Sequence, residues 1–207
     1  VMKQNKTAFI FMIPIFGGIV FILLYVIATL FYPGGSNQHP NEIGFNWLTN
    51  FWCDLTGSIA KNGQKNNAQP IALVAMLVLC LSLSVFWLAV PKLFNSNSFV
   101  YKSISYAGIG AMIAASFIFT DFHDFMMNIG SCLGVIALTF TLLGLFRFQY
   151  YRLFWSGVGC IFIIGINNLI YYTHYFIDYL PVIQKVSFVF VLFWVSAYCA
   201  EGLKKRA

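Results

Sequence analysis

Residues 120–124 read Thr-Asp-Phe-His-Asp, and they are the only link between two apolar runs, Phe99–Thr120 and Phe125–Phe146. Each run has about twenty residues, the length that an α-helix needs to cross the roughly 30 Å hydrocarbon core of a bilayer. The link holds two carboxylates and an imidazole, in a chain with six acidic residues and three histidines. Polar groups at a hydrocarbon boundary must find partners or stay hydrated. We therefore expect the polar chemistry of the protein to gather near this turn.

The composition is typical of a polytopic membrane protein. Hydrophobic residues make up 60% of the 207 residues and charged residues 9%, against about 25% charged residues in soluble domains. The net charge of +6 lies at predicted helix ends and forms no basic face, so we expect no nucleic-acid partner. The five cysteines show no C-x-x-C spacing and mostly lie in apolar runs, which indicates small buried hydrophobic residues and not disulfides.

The apolar segments predict an all-α polytopic bundle of six transmembrane helices, formed by one membrane domain of residues 1–207. We expect the first segment to be a retained helix and not a cleaved signal. Small residues such as Gly108 and the pair Gly130-x-x-x-Gly134 favour close packing within one bundle over a dimer interface, and the oligomeric state stays open. The six segments are Ala8–Tyr32, Pro70–Val90, Phe99–Thr120, Phe125–Phe146, Leu153–Thr173 and Tyr179–Ala200.

The distribution of Lys and Arg predicts the orientation in the membrane. Of the twelve, all but Lys61, Lys65 and Lys185 fall on the side of the N-terminus. By the positive-inside rule both termini are then cytoplasmic, in a multi-pass protein of the inner (plasma) membrane. The same alternation places all three histidines, and every acidic residue except Glu201, on the outer side.

The outer loop of residues 33–69 contains a predicted amphipathic helix at about residues 44–59. Asn46, Asn50, Asp54 and Ser58 follow one another at intervals of four, and aromatic residues cover much of the remaining helix surface. One interpretation is an interfacial helix whose polar stripe faces water. The other is a re-entrant helix whose stripe turns inward and covers the outer ends of the spans.

The turn at residues 120–124 offers candidate site residues. His123 is either a structural histidine bonded to Asp121 or to a carbonyl, or a ligand or general base whose tautomer the neighbouring carboxylates fix. Asp124 is well placed to cap the fourth helix, with or without a second role.

A second polar stripe ends the fifth helix. Asn167, Tyr171 and His174 share a helix face, which Asp178 extends if the helix continues. Asn167 should face other helices, because a buried unpaired amide costs about 1 to 3 kcal/mol. His174 is either part of an aromatic belt or a site residue, and Asp178 is either a turn residue or a ligand.

Lys185 lies one to two turns inside the sixth predicted helix. A lysine at that depth either extends its ammonium to the membrane surface or forms an ion pair. Asp54 and Asp121 are the candidate partners.

Two histidines and up to four aspartates at helix ends are typical of a divalent metal site, with zinc as the first candidate and a water in an open position. Signatures such as H-E-x-x-H do not occur. We predict Asp54, Asp121 and Ser58 as catalytic residues, His123, His174, Asp124 and Asp178 as metal ligands, and Asn50, Asn167, Tyr171 and Lys185 as substrate-binding residues.

Three short motifs carry a resemblance to a family. Asn50-Phe-Trp-Cys-Asp54-Leu-Thr-Gly57, the Asn-rich approach to Pro70 and Asp121-Phe-His123-Asp124 resemble a bacterial and archaeal family of six-helix membrane proteins described as a domain of unknown function. A more distant resemblance is to the alkaline ceramidase and adiponectin receptor superfamily, seven-helix membrane hydrolases that hold zinc with three histidines. It implies zinc-dependent amide hydrolysis with His123, His174 and Asp54 in comparable parts. The chain departs from that superfamily in its six spans and in having His174-x-x-x-Asp178 where the superfamily has His-x-x-x-His.

Three functional hypotheses result. The first is a metal-dependent hydrolase of a lipid or lipid-linked substrate, with membrane lipids as partners. The second is a transporter or sensor in which the His/Asp cluster binds protons or a solute, although the sequence shows no inverted repeat of the kind common in transporters. The third is a non-catalytic membrane assembly protein. A haem bridged by His123 and His174 is a weaker alternative.

Overall fold

The computed structural model of the protein describes residues 2–94, 99–117 and 122–206. Within these ranges the chain is all-α, as predicted, and contains no β-strand. The α-helices are α1 (Met2–Thr29), α2 (Gln69–Phe94), α3 (Phe99–Ser116), α4 (His123–Arg147), α5 (Tyr151–Thr173) and α6 (Leu180–Lys204), and two short 3-10 helices cover Trp52–Thr56 and Ile177–Tyr179.

Five helical stretches are long and apolar enough to cross a membrane, so the fold is compatible with a multi-pass membrane protein. Among the described helices α3 is the exception, because Lys102 and a series of Ser, Tyr and Gly residues lower its apolarity. The predicted end of that segment, residues 118–120, lies outside the described residues. The five stretches are Ala8–Thr29, Gln69–Phe94, Phe125–Arg147, Tyr151–Thr173 and Ile177–Lys204.

The chain divides into two compact units. Unit 1 comprises Val1–Ile19, Leu77–Val158 and Leu192–Ala207, and unit 2 comprises Val20–Met76 and Gly159–Val191. Helices α1, α2, α5 and α6 contribute residues to both. The predicted polar residues are divided in the same way, since residues 122–124 belong to unit 1, whereas the 44–59 segment, the end of α5 and Lys185 belong to unit 2.

Unit 1 is built on closely packed helices. Helix α3 packs against α4, and a Cβ added to Gly130 of α4 would lie 3.5 Å from the Cβ of Ala114 in α3. A Cβ at Gly108 would overlap the ring of Trp87 in α2. Both glycines therefore permit contacts inside one chain, which is the role that their spacing favours.

Unit 2 has an aromatic core in which the loop of residues 33–69 packs against α1 and α6. Trp52 of the first 3-10 helix is buried, and its ring centre lies 5.8 Å from that of Phe21, 5.2 Å from that of Tyr25 and 5.4 Å from that of Phe188. Phe21 and Tyr25 belong to α1, and Phe188 belongs to α6. Burial of one such ring contributes a few kcal/mol, so Trp52 anchors the loop in the core of unit 2.

The prediction of an amphipathic helix at 44–59 is wrong. The structure forms turns there, and the only regular helix in this stretch is the 3-10 helix Trp52–Thr56. The Asn50 side chain accepts a hydrogen bond from the backbone N–H of Asn46 at 2.9 Å, and the Asp54 carboxylate accepts one from the N–H of Phe51 at 2.9 Å. Asn and Asp side chains that bond nearby backbone groups compete with helix formation. Polar residues recur at intervals of four here because their side chains form hydrogen bonds that stabilise turns, and not because the segment is a helix.

The start of α4 differs from the prediction, whereas α5 has its predicted end and no extension to Asp178. Helix α4 begins at His123 and its N-cap position is Phe122, so Asp124 lies inside the first turn and is not the cap. Helix α5 ends at Thr173, and Asp178 lies in the separate 3-10 helix Ile177–Tyr179. The backbone breaks because His174 and Phe176 both have positive φ, at 58° and 60°, a left-handed conformation that stops a right-handed helix. The predicted stripe therefore does not extend to Asp178.

Candidate functional site

Asn50 is the centre of a buried polar cluster in unit 2. Its side chain is fully buried, and its amide nitrogen donates to the carbonyl of Gly35 at 2.6 Å and to the Asp54 carboxylate at 3.1 Å. Its side-chain oxygen accepts the bond from Asn46. Both polar atoms of the amide are thus paired, as buried amides require. Asn50 holds two turns of the loop together and presents its own backbone carbonyl to α6.

The Asp54 carboxylate is 5% exposed, and its two oxygens have different surroundings. Oδ2 accepts the hydrogen bonds from Asn50 and from the backbone of Phe51. Oδ1 has no hydrogen bond among the described side chains and lies 3.9 Å from the ammonium nitrogen of Lys61, whose side chain is 43% exposed. An ion pair with so exposed a partner contributes little stability. One oxygen of this carboxylate is therefore available for a further partner.

Lys185 is buried in α6, with 9% of its surface exposed. Its ammonium donates to the backbone carbonyl of Asn50 and to that of Pro181, the latter at 2.9 Å. It also lies 5.7 Å from the ring centre of Phe45, a cation–π contact. The sequence left two alternatives for the Lys185 ammonium, a position at the membrane surface or an ion pair, and the structure shows a third. The ammonium neither reaches the surface nor pairs directly with Asp54, because the carbonyl of Asn50 takes the place of a carboxylate.

Tyr32 and Gly35 support the cluster from the start of the loop. The Tyr32 hydroxyl donates to the carbonyl of Gly35 at 3.2 Å and accepts from the backbone N–H of Lys61 at 3.1 Å. Burial raises the pKa of the Tyr32 hydroxyl above its ordinary value, and the nearby Asp54 carboxylate adds to this. Gly35 has a φ of 80°, and a Cβ there would overlap the backbone of Asn62. Glycine is therefore required at this position.

Two side chains hold the cluster without having been predicted to do so. Asn66 is buried, and its amide donates to the carbonyls of Asp54, Leu55 and Gly57 at 3.2, 3.1 and 2.8 Å. Gln184, next to Lys185, accepts a hydrogen bond from the backbone N–H of Trp52 at 3.1 Å. No spacing rule links Asn66 to Asp54 or Gln184 to Trp52, because these contacts depend on how the loop closes.

The other predicted site residues of unit 2 lie outside this cluster. Ser58, Tyr171 and His174 are exposed, and His174 is surrounded in sequence by exposed aromatic residues, as the aromatic-belt alternative predicts. Asp178 is exposed and accepts a hydrogen bond from the side chain of Gln38 at 3.0 Å. Asn167 is half-buried, and its side-chain oxygen is buried without a hydrogen-bond partner among the described residues.

The predicted metal ligands are described only in part. Asp121 lies outside the described residues, and so do the side chains of His123 and Asp124, whose backbone forms the first turn of α4. Among the side chains that are described, no three of His, Cys, Asp and Glu come together as a metal site would require. The described geometry therefore assembles Asn50, Asp54 and Lys185 and leaves the metal assignment as a prediction.

The chemistry of the cluster follows from its charges. A carboxylate and an ammonium, both almost fully buried, are joined through Asn50. In a protein interior such charges interact strongly, and each is stable only while its partners are in place. The arrangement can accept a hydrogen bond from a small polar solute at Oδ1 of Asp54, and Asn50 links this carboxylate to α6.

The chain matches no family model, no curated protein and no solved structure. The two resemblances drawn from short motifs therefore stay predictions. A function has to be argued from the chemistry of the site itself.

Proposed function

We propose that this chain is a multi-pass membrane protein of the transporter or sensor class, in which Asn50, Asp54 and Lys185 bind protons or a small polar solute beneath the loop between α1 and α2. The predicted His/Asp cluster of the second hypothesis is thereby replaced by an Asp/Lys cluster. Ionisable groups buried beside membrane-spanning helices are costly, and they commonly mark ion and solute pathways.

A single observation carries this proposal. The Asp54 carboxylate is 5% exposed, yet within the described part of the chain only one of its oxygens has hydrogen bonds, and the other has the ion pair with the half-exposed Lys61 at 3.9 Å. A carboxylate with a purely structural role would be expected to use both oxygens when it is this buried. Lys61 has an exposed side chain that can move aside, which gives the free oxygen a route to water.

The test is a pH-gradient experiment in proteoliposomes. We expect the wild-type protein to show a flux of protons or solute that follows an imposed pH gradient, and Asp54→Asn to abolish it. Asp178→Asn is the matched control, because Asp178 is exposed and lies outside the cluster. A wild-type protein without any gradient-dependent flux, or an Asp54→Asn protein as active as wild type, would remove the proposal.

Six membrane crossings and cytoplasmic termini belong to the same proposal. Support comes from unit 1, where the ring of Tyr101, near the start of α3, lies 6.1 Å from that of Phe148, just after α4. The start of α3 thus lies beside the end of α4, so the two helices run antiparallel at similar depth. If α4 crosses the membrane, α3 crosses with it, which places Lys102 and Arg147 on one side as the positive-inside rule requires.

Zinc-dependent hydrolysis of a lipid or lipid-linked substrate is a separate proposal. It rests on the sequence of the 120–124 turn, in which His123 stands beside two aspartates, a residue set that suits zinc. The check is metal analysis of the purified protein by mass spectrometry. Stoichiometric zinc that is lost in His123→Ala and in His174→Ala would support it, and a wild-type protein without a stoichiometric divalent ion would end it.

A further inference from the structure

The Oδ1 oxygen of Asp54 lies beside the ammonium of a mobile side chain in unit 2. Asp54 is the most buried carboxylate that the structure describes, with 5% of its side chain exposed. Its Oδ1 lies 3.9 Å from the ammonium nitrogen of Lys61, which is beyond the length of a hydrogen bond. The ammonium of Lys61 therefore balances the charge of Asp54 without being firmly bound to this oxygen.

The backbone of Lys61 is fixed, whereas its side chain can leave Asp54. The Lys61 N–H donates to the Tyr32 hydroxyl at 3.1 Å, and the next N–H, that of Asn62, donates to the carbonyl of Gly34 at 3.2 Å. The Lys61 side chain is 43% exposed, and an ion pair with so exposed a partner holds it weakly. A group from solution can therefore take the place of its ammonium without any movement of the backbone.

The charges around Asp54 decide which group can replace that ammonium. A carboxylate oxygen only accepts hydrogen bonds, so an anion does not suit this position. A neutral donor would leave the buried Asp54 charge without a counter-ion in contact, which is costly in a protein interior. Lys185 does not take over this role, because its ammonium donates to the backbone carbonyls of Asn50 and Pro181. The incoming group therefore has to be a cation.

A primary ammonium meets these conditions. It carries one positive charge, as the Lys61 side chain does, and it supplies N–H donors for Oδ1. The exchange leaves the net charge around Asp54 and Lys185 unchanged. We propose that the solute of this chain is a small organic cation with a primary ammonium, which displaces Lys61 from Oδ1 of Asp54. This inference rests on the proposed function and names the chemical class of its solute.

The test measures the binding of n-butylammonium, which reproduces the side chain of lysine, to the full-length protein in detergent. Melting temperatures are recorded in increasing n-butylammonium chloride, tetramethylammonium chloride or sodium butyrate at constant ionic strength. We expect only n-butylammonium to raise the melting temperature of the wild type with saturation, because a ligand that binds the folded state stabilises it. Tetramethylammonium has the charge without an N–H donor, and butyrate has the alkyl chain without the cation.

Four variants locate the binding. Lys61→Ala removes the competing ammonium and should tighten n-butylammonium binding about twofold to fivefold, since an exposed ion pair contributes up to about 1 kcal/mol. Lys65→Ala, at an exposed position on the same turn, should leave the dissociation constant unchanged. Asp54→Asn should abolish the stabilisation. Asp178→Asn removes an exposed carboxylate outside the cluster and should keep it.

Three results would overturn the inference. Stabilisation of Lys61→Ala but not of the wild type would mean that Lys61 is a structural partner that no solute displaces. Equal stabilisation by tetramethylammonium would exclude a hydrogen bond to Oδ1. If n-butylammonium stabilises neither protein while gradient-dependent flux is still lost in Asp54→Asn, the primary ammonium is rejected and the proposed function stands, with a different species bound at Asp54.

Discussion

The ammonium of Lys185 donates a hydrogen bond to the backbone carbonyl of Asn50, 135 positions earlier in the chain. Asn50 in turn donates to the Asp54 carboxylate at 3.1 Å. A cation in α6 and an anion in the loop are thus joined through one buried amide residue. The polar cluster is a single unit, since the removal of any member leaves a buried partner without its bond.

Two substitutions of Asp54 distinguish its role as a hydrogen-bond acceptor from its role as a negative charge. Asp54→Ala leaves the Phe51 N–H without an acceptor and removes one of the two acceptors of the Asn50 amide, and we expect it to lower the free energy of unfolding by about 1 to 3 kcal/mol. Asp54→Asn keeps one acceptor oxygen and should cost less than half as much, while both variants lose gradient-dependent flux. Thermal unfolding in detergent measures the difference. Equal destabilisation by Asn and Ala would mean that the charge itself holds the loop.

We expect the Asn66 side chain to contribute strongly to the stability of the fold. Asn66→Ala removes the donor for three carbonyls and should lower the free energy of unfolding by at least about 2 kcal/mol. Its neighbour Asn67 is exposed and is the control, since Asn67→Ala should change stability by less than about 0.5 kcal/mol. Similar melting temperatures for the two variants would contradict the closure of the loop around Asn66.

We expect the folded protein to lose stability at alkaline pH because of Tyr32. Its pKa is raised in the folded state, so the folded protein keeps this proton at pH values where the unfolded chain has lost it. Stability from this group is therefore complete below the ordinary tyrosine pKa of about 10 and falls as the pH rises through the folded value.

Tyr32→Phe should show a smaller fall in melting temperature above pH 10 than wild type does. At neutral pH it should be less stable by about 1 kcal/mol, because two hydrogen bonds are lost. Tyr175→Phe, at an exposed position, should keep the wild-type pH profile. A Tyr32→Phe profile parallel to that of wild type would contradict the raised pKa.

Cys53 reports the orientation of the loop in the membrane. It is exposed on the 3-10 helix Trp52–Thr56, and the proposed topology places it outside the cytoplasm. We expect a membrane-impermeant maleimide to label intact cells in a way that Cys53→Ser abolishes. Labelling of Cys53 only after the membrane has been opened would reverse the proposed orientation.

The helices could be predicted from the sequence because span length and apolarity are local properties. Pro70 lies in the first turn of α2 as expected, and five of the six predicted segments are apolar helices of spanning length. The start of α4 was less predictable, since that helix begins at His123 and Asp124 is not its cap, and the backbone after α5 was not predicted. His174 and Phe176 have left-handed backbone conformations, which the Tyr-rich sequence around them does not predict.

The loop was predicted wrongly for a specific physical reason. A period of four polar residues indicates a helix only if the side chains face outward together, and Asn50 and Asp54 instead bond the backbone beside them. The sequence marked Asp54 and Lys185 as unusual because charges are rare in the chain. It could not show that a carbonyl of Asn50 would lie between them, since that contact depends on the whole fold of the loop.

The most direct test of the central claim is hydrogen–deuterium exchange at the backbone N–H groups of Phe51 and Trp52, compared between wild type and Lys185→Met. The Trp52 N–H is bonded to Gln184 of α6 and is held only while the loop stays on α6, and the Phe51 N–H is bonded to Asp54, which the neighbouring Asn50 holds in place. We predict exchange roughly tenfold faster or more in Lys185→Met, equivalent to about 1.4 kcal/mol of local opening. Lys65→Met, at an exposed position, should leave the rates unchanged. Unchanged rates in Lys185→Met would contradict the claim that this lysine holds the loop through Asn50.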